Sequence, residues 1–372
     1  MLADQLITEK EFLAHYGWDD YFANQWDLHK SDFDSSSWYL ARVICEERSL
    51  YRLQMGADKS LWAAVSGKMQ FGAKVRSDFP AVGDWVMFEI PTGADRGIIH
   101  FTVPRKTIIY RKQIGSTSEP QILSTNVDYV FVTTSVNDDL NYRRIERYLS
   151  IARDANCMPV ILLTKADIRD DMDKVVADVR AQFPEVHVQP LSKNDFNEVA
   201  FFRACLRPGT TSIILGSSGV GKSTLVNFLI GTETAKTQEI RSDDGKGRHT
   251  TTSRNLYVSR YGGLIIDTPG MRELQLSDHG EGVRAEFSQV EDLMVNCKFS
   301  DCQHQSEPGC GVIAALASGD LLLEKWDSYK KLMAEVRHAA RKQNKAVAAE
   351  DRKSWKKRTV DARDRGKAKK GP

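Results

Sequence analysis

The chain has 372 residues, 41% hydrophobic and 27% charged, with 25 Gly, 11 Pro and a net charge of +2. This ordinary globular composition excludes a collagen-like chain, a mostly disordered one and a disulfide miniprotein, and at roughly 150 residues per domain the length predicts two or three domains. No run of about 18 apolar residues predicts a membrane span, and the opening MLADQLITEKEF lacks the basic-then-apolar order of a signal peptide, so a cytoplasmic protein with no membrane partner is expected.

Residues 1–37 are acidic and aromatic. Trp18, Tyr21, Phe22 and Trp26 stand at helix-like spacing, which predicts one short amphipathic helix, followed by the linker Ser35-Ser36-Ser37. Residues 38–112 contain five short alternating runs: WYLARVICEE, SLYRLQMG, LWAAVSG, GDWVMFEI and GIIHFTVP. They predict a small OB-like β-barrel, a fold that often binds oligonucleotides.

Over residues 113–275 buried strands alternate with polar helices. VDYVFVTTSV, MPVILLTKAD, VHVQPLS, TSIILG and LIIDTPG read as strands, with NYRRIERYLSIARDA and DMDKVVADVRAQF as helices. This is the pattern of a parallel α/β sheet with helices on both faces. Residues 276–335 turn helical and hold Cys297, Cys302 and Cys310 around His304. In a reducing compartment such a cluster reads as metal ligands before disulfides. Three thiolates and one imidazole complete a closed tetrahedral Zn²⁺ site with a structural role, one ion per chain. Cys45, Cys157 and Cys205 lie in or near apolar segments and read as buried small hydrophobes.

Residues 336–372 form a basic tail. From Lys330 onward 16 Lys and Arg face 5 Asp and Glu, a local +11 on a body that carries −9. A basic tail on an acidic body suits contact with nucleic acid; a solvated helix and tail would give the same count.

The sharpest signal is Gly216-Ser217-Ser218-Gly219-Val220-Gly221-Lys222-Ser223, which follows the apolar strand SIILG and precedes the helical run TLVNFLIG that begins at Thr224. Glycines let the backbone wrap phosphates with its N–H groups inward, and the helix N-terminus adds positive potential. Lys222 is expected on the β- and γ-phosphates and Ser223 on Mg²⁺. In LIIDTPG, Asp267 can hold Mg²⁺ and the Gly270 N–H can meet the γ-phosphate. Thr164-Lys165-Ala166-Asp167 ends the strand VILLTKAD. The Asp167 carboxylate can accept from guanine N1–H and the exocyclic amine, donors that adenine lacks on that edge, while the Lys165 stem covers the base. Together the three motifs select GTP. Their order is unusual, because the guanine motif precedes the phosphate loop. A parallel α/β domain tolerates such cutting and rejoining, and the arrangement is that of a circularly permuted GTPase.

In this order, with the OB-like segment before and the Cys/His cluster after, the chain resembles the RsgA-type GTPases, the small-ribosomal-subunit-dependent, circularly permuted GTPases of bacteria, over roughly residues 38–335. The resemblance implies an OB-like barrel, a permuted GTPase domain and a helical zinc domain. It also implies a monomer that binds GTP or GDP and works on the small ribosomal subunit and its rRNA, with hydrolysis during late subunit maturation stimulated by the subunit and driving release. Through Gly247-Arg248-His249-Thr250-Thr251-Thr252 it implies that Thr250 or Thr251 completes the Mg²⁺ shell. It offers His249 as the group that orients the attacking water, since Met271 stands where Ras-like enzymes have Gln; a loop histidine that only packs or contacts the ribosome is the alternative. By the same analogy Ser192 and Lys193 lie against the guanine.

Overall fold

The computed structural model describes residues 11–32, 38–47, 49–111, 121–137, 140–192, 199–217, 219–231, 254–267, 281–299 and 301–337. It divides into one unit of residues 1–112 with 120–275 and a second of 113–119 with 276–372. The first unit begins with a helical turn at 11–15 and with α1 (Asp20–His29), whose free N–H groups at Tyr21 and Phe22 are capped by the Asp19 carboxylate. The expected helix is therefore present, and it is anchored by aromatics: Phe22 is buried and the Trp18 ring stands edge-on to Trp85 at 5.1 Å.

The five runs after it form the barrel. Strands β1 (Trp38–Glu47), β2 (Leu50–Gln54), β3 (Ser60–Val65), β4 (Trp85–Glu89) and β5 (Gly97–Thr102) pair in the circuit β1-β2-β3-β5-β4 and close through β1–β4. All pairs are antiparallel except β3–β5. Alternation turns Val43, Tyr51, Leu53, Ala63, Val86, Phe88 and Ile99 into one core, and the short helix α2 (Gly67–Gly72), capped by the Ser66 hydroxyl, links β3 to β4.

Next comes a hairpin that the sequence pattern does not announce, β6 (Ile108–Arg111) with β7 (Gln121–Thr125); the boundary expected at residue 112 falls between its strands. The α/β part follows as β8 (Tyr129–Ser135), α3 (Tyr142–Asp154), β9 (Met158–Thr164), α4 (Met172–Gln182), β10 (His187–Leu191), α5 (Val199–Cys205), β11 (Thr211–Gly216), α6 (Lys222–Ile230), β12 (Asn255–Val258) and β13 (Leu264–Asp267). Strands β10-β9-β8-β11-β13 are parallel, and β12 is antiparallel to β13. Phe131, Val160, Leu162, Ile214 and Ile265 meet α5 and α6 in one core. The alternate residues Val130, Val132, Ile161 and Leu163 are buried too, as expected of a sheet covered on both faces. β12 also pairs with β1 of the barrel through Cys45 and Asn255, so barrel and α/β layer are one continuous sheet of 11 strands. Cys45, Cys157 and Cys205 are buried and free, as expected.

One side chain joins these parts. Arg42 on β1 is buried. It donates to Gly83 O at 3.0 Å, to Tyr16 O of the N-terminal segment, and to Asn126 O and the Thr211 hydroxyl of β11, both at 3.1 Å. Trp85 lies under its guanidinium at 5.5 Å. Burial pushes its pKa down to about 10, opposed by the carboxylates of Asp128 and Asp84, so it stays charged at neutral pH. Gly209 N also donates to His15 O at 2.9 Å, which ties the N-terminal segment to the α/β layer.

The second unit packs α7 (Glu281–Glu286), α8 (Ser288–Val295), α9 (Gly311–Ser318) and a helix over 323–337 around Phe287, Val290, Val312, Trp326 and Leu332, all buried. Among the described residues no helix is long and apolar enough to cross a membrane. The basic tail beyond residue 337 lies outside the described residues.

Arg42→Ala should cost about 3–5 kcal/mol in urea unfolding, because it strands buried carbonyls from three segments at once. Arg42→Lys should recover less than half of the loss, since one ammonium cannot span acceptors that a planar guanidinium reaches on three nitrogens. A loss below about 1 kcal/mol for Arg42→Ala would remove its bridging role.

Candidate nucleotide site and metal centre

Three sequence motifs meet at one sheet edge. β9 ends at Thr164, β11 at Gly216 and β13 at Asp267, and the pairings Ser135–Thr164 and Thr133–Gly216 set the first two within two residues of each other along β8. The carboxyl ends of parallel strands are where open α/β sheets take their ligands. At Gly216 an added Cβ would stand 2.4 Å from Thr133 O, so only glycine lets the strand end so close to its neighbour. Gly221, at φ +97°, is the N-cap of α6, a left-handed turn that glycine adopts without strain. The helix itself is held by Leu225, Val226 and Leu229, which are buried, while Ser223 and Thr224 in its first turn are exposed.

The loop is pinned by side chains. The Thr164 hydroxyl lies 2.6 Å from Val220 O and 3.2 Å from Thr134 O, so the strand carrying the guanine motif is fastened to the phosphate loop. The Lys222 ammonium donates to Gly216 O at 2.8 Å and to Ser217 O. Burial pushes it below its ordinary value, and the nearby Asp267 carboxylate pulls it back up. Arg144, from α3, donates to the Ser217 hydroxyl at 2.9 Å. Lys165 is left-handed at φ +58° and leads into the 3₁₀ turn Ala166–Ile168 that holds Asp167. Ser192 directly follows β10, half-buried. Ser218, Lys193, His249, Thr250, Thr251 and Gly270 lie outside the described residues.

In the second unit the ligand atoms of Cys297, Cys302, His304 and Cys310 all lie within 4.8 Å of one another. Cys297 Sγ is 3.5 Å from His304 Nδ1 and 3.8 Å from Cys310 Sγ, and His304 Nδ1 is 3.4 Å from Cys310 Sγ. A tetrahedral Zn²⁺ with Zn–S about 2.3 Å and Zn–N about 2.05 Å has ligand edges of about 3.8 and 3.5 Å. The residues fit the ion. Helix α9 starts on the cluster: Cys310 is its N-cap and accepts from Ile313 N. Burial raises the Cys297 thiol, but the Gly311 N–H, the Cys310 thiol and the Val312 N–H outweigh it and hold it below its ordinary value, toward the thiolate that metal requires. Glu307 fixes the ligand loop by accepting from the N–H groups of Gln303, Gln305 and Ser306 at 2.8, 2.8 and 3.0 Å. These bonds hold its carboxyl down to about 2. A pKa below the unfolded value means that its contribution is complete above about pH 4.5 and fades as pH falls toward 2.

Two side chains at these sites escape sequence reasoning. Arg144 lies 73 positions before Ser217, and no local pattern relates them. Glu307 lies between His304 and Cys310 in sequence, where an acidic residue that bonds backbone is indistinguishable from a solvated one.

A family model described as RsgA GTPase matches residues 102–277, and one described as 50S ribosome-binding GTPase matches residues 211–346. The chain is 40% identical over 328 residues to the small ribosomal subunit biogenesis GTPase RsgA 1 of Oceanobacillus iheyensis, covering 88% of this chain and 93% of that protein. It is 40% identical over 354 residues to RsgA of Opitutus terrae, covering 93% and 95%. Among solved structures, the circularly permuted GTPase YloQ aligns with a TM-score of 0.58 at 23% identity, covering 81% of this chain and 96% of that one. YjeQ from Thermotoga maritima aligns with 0.58 at 24%, covering 80% and 98%. These two likenesses concern the fold.

Metal analysis of the purified chain should find one zinc per protein, and Cys310→Ser should lose it together with the thermal transition of the second unit. Glu307→Ala should keep the metal but release it to a chelator about tenfold faster. A fully folded second unit in metal-free protein would sink the structural role.

Proposed function

The chain belongs to the RsgA family of GTPases, and from that premise we propose that it binds the small ribosomal subunit and hydrolyses GTP to GDP and phosphate during late maturation of that subunit, with subunit-stimulated hydrolysis driving its release. The observation that supports the nucleotide reading best is the meeting of Thr164–Asp167, the phosphate loop and Asp267 at one sheet edge.

Asp167 accepts from the guanine N1–H and amine, and Lys165 covers the base with Ser192 and Lys193 beside it. Backbone N–H groups of residues 216–224 surround the phosphates, with Lys222 leaving the loop carbonyls for the β- and γ-oxygens. Ser223 and Asp267, with Thr250 or Thr251, are the residues to hold Mg²⁺; an exposed hydroxyl and a carboxylate that acts on Lys222 are a hard-oxygen set suited to it. When bound, the ion would neutralise charge on the phosphate oxygens. Gly270 meets the γ-phosphate. His249 orients the water in the position that Met271 cannot serve.

The ribosomal assignment draws on the relatives named for the small subunit and on the +11 charge from Lys330 onward, which supplies salt-sensitive affinity for rRNA alongside the barrel and the zinc unit. Loss of the γ-phosphate would release the segment after Asp267, which leads directly into the zinc unit, and so change the grip on RNA. The second family model is named for the 50S particle, so both subunits belong in the test.

GTP turnover should rise strongly with purified small subunits, not with large ones, and ATP should remain unhydrolysed. Stimulation by large subunits alone, or none at all despite GTP binding, would overturn the partner. His249→Ala should lose about a hundredfold of the stimulated rate while GTP still binds; an unchanged stimulated rate would leave His249 as a packing or contact residue. Asp167→Asn should weaken GTP binding by roughly a hundredfold and favour xanthosine triphosphate, whose N1 and C2 edge suits an amide; retained GTP preference would remove the base-reading role.

A further inference from the structure

The leading turn of the phosphate loop is held by two cations from two sides. Lys222 lies on the carbonyls of Gly216 and Ser217, and Arg144 reaches the Ser217 hydroxyl at 2.9 Å. These two holds differ in what a nucleotide does to them. On the proposed reading of the site, phosphate oxygens compete for Lys222, two of whose three donors are engaged with carbonyls. Arg144 holds the loop through a side-chain oxygen instead, so its hold does not depend on the carbonyls that Lys222 leaves.

Arg144 is also placed firmly. Asn141 caps the start of α3 by accepting from the Arg144 N–H at 3.1 Å, and Ile145 and Leu149 further along are buried on a helix that packs against β8 and β9. The guanidinium thus projects from a fixed turn. We propose that Arg144 is a positioning residue of the nucleotide site. Through Ser217 it keeps the first turn of the phosphate loop in its cradling form when Lys222 moves to the phosphates, and it adds positive potential where the phosphate charge gathers.

The test is a double-mutant cycle on the full chain, read as the affinity for fluorescent GDP and GTP, with Arg144→Ala, Ser217→Ala, the double variant and Arg144→Lys. Each single change should weaken nucleotide binding roughly threefold to tenfold, and the double should be no weaker than the worse single. In turnover the KM for GTP should rise by more than kcat falls. Arg144→Lys should restore part of the loss, since an ammonium can still donate to the hydroxyl. Unchanged affinity in both single variants, or losses that multiply in the double, would overturn the proposal. If Arg144→Ala does not fold, Ser217→Ala alone decides, with unchanged affinity counting against it. Failure of the unaltered chain to bind guanine nucleotides would instead overturn the reading of the site on which this role rests.

Discussion

A buried arginine is an expensive way to join three parts of a protein, and Arg42 is retained in the first unit at that cost. Its charge is lowered in pKa by burial, and none of its hydrogen bonds goes to a carboxylate: three go to main-chain oxygens and one to a hydroxyl. Such an arrangement gains less than an ion pair, but the acceptors come from the N-terminal segment, the turn before β4, the segment after β7 and the strand that leads into the phosphate loop. A hydrophobic residue there would pack against one of these; the guanidinium fork can bind all of them in one geometry. The N-terminal segment, aromatic and acidic in sequence, finds its place through this contact and through Trp18 on Trp85.

The nucleotide site inherits that order. β11 runs from Thr211, which bonds Arg42, to Gly216, where the phosphate loop begins. Asn255 pairs with both Cys45 of the barrel and Asp267 at the end of β13, so one row across three strands links the barrel to the acid proposed for Mg²⁺. Permutation does not weaken this frame. The guanine motif precedes the phosphate loop in the chain, yet Thr164 bonds Val220 because β9 and β11 flank the same strand, β8, and end on the same side of the sheet whatever the order of their connections.

Much of this was legible beforehand. The barrel strands, the parallel strands and the helices α3 and α4 carry their own periodicities, and the phosphate loop, the guanine motif and the Cys/His cluster are local in sequence, so spacing alone reveals them. The hairpin β6–β7 and strand β12 were not legible. Each of β6 and β12 has four residues, too few for a period, and β12 exists because β13 and β1 flank it. Arg42 and Arg144 were hidden for a related reason. An arginine in a strand or on a helix reads as solvated, and only the folded chain brings Thr211 or Ser217 to it.

The bridge between β12 and β1 has one more effect, on how the protein treats its own copies. A mixed sheet ordinarily offers two unpaired edges to any neighbouring chain. Here the barrel closes on itself, and β12 is covered by β1, so among the described residues the sheet terminates freely only at β10. That strand carries Pro190, which has no N–H to offer and interrupts a continuous ladder. The 11-stranded sheet is thereby left with one open end for strand-by-strand growth, and a residue that discourages such growth stands on it.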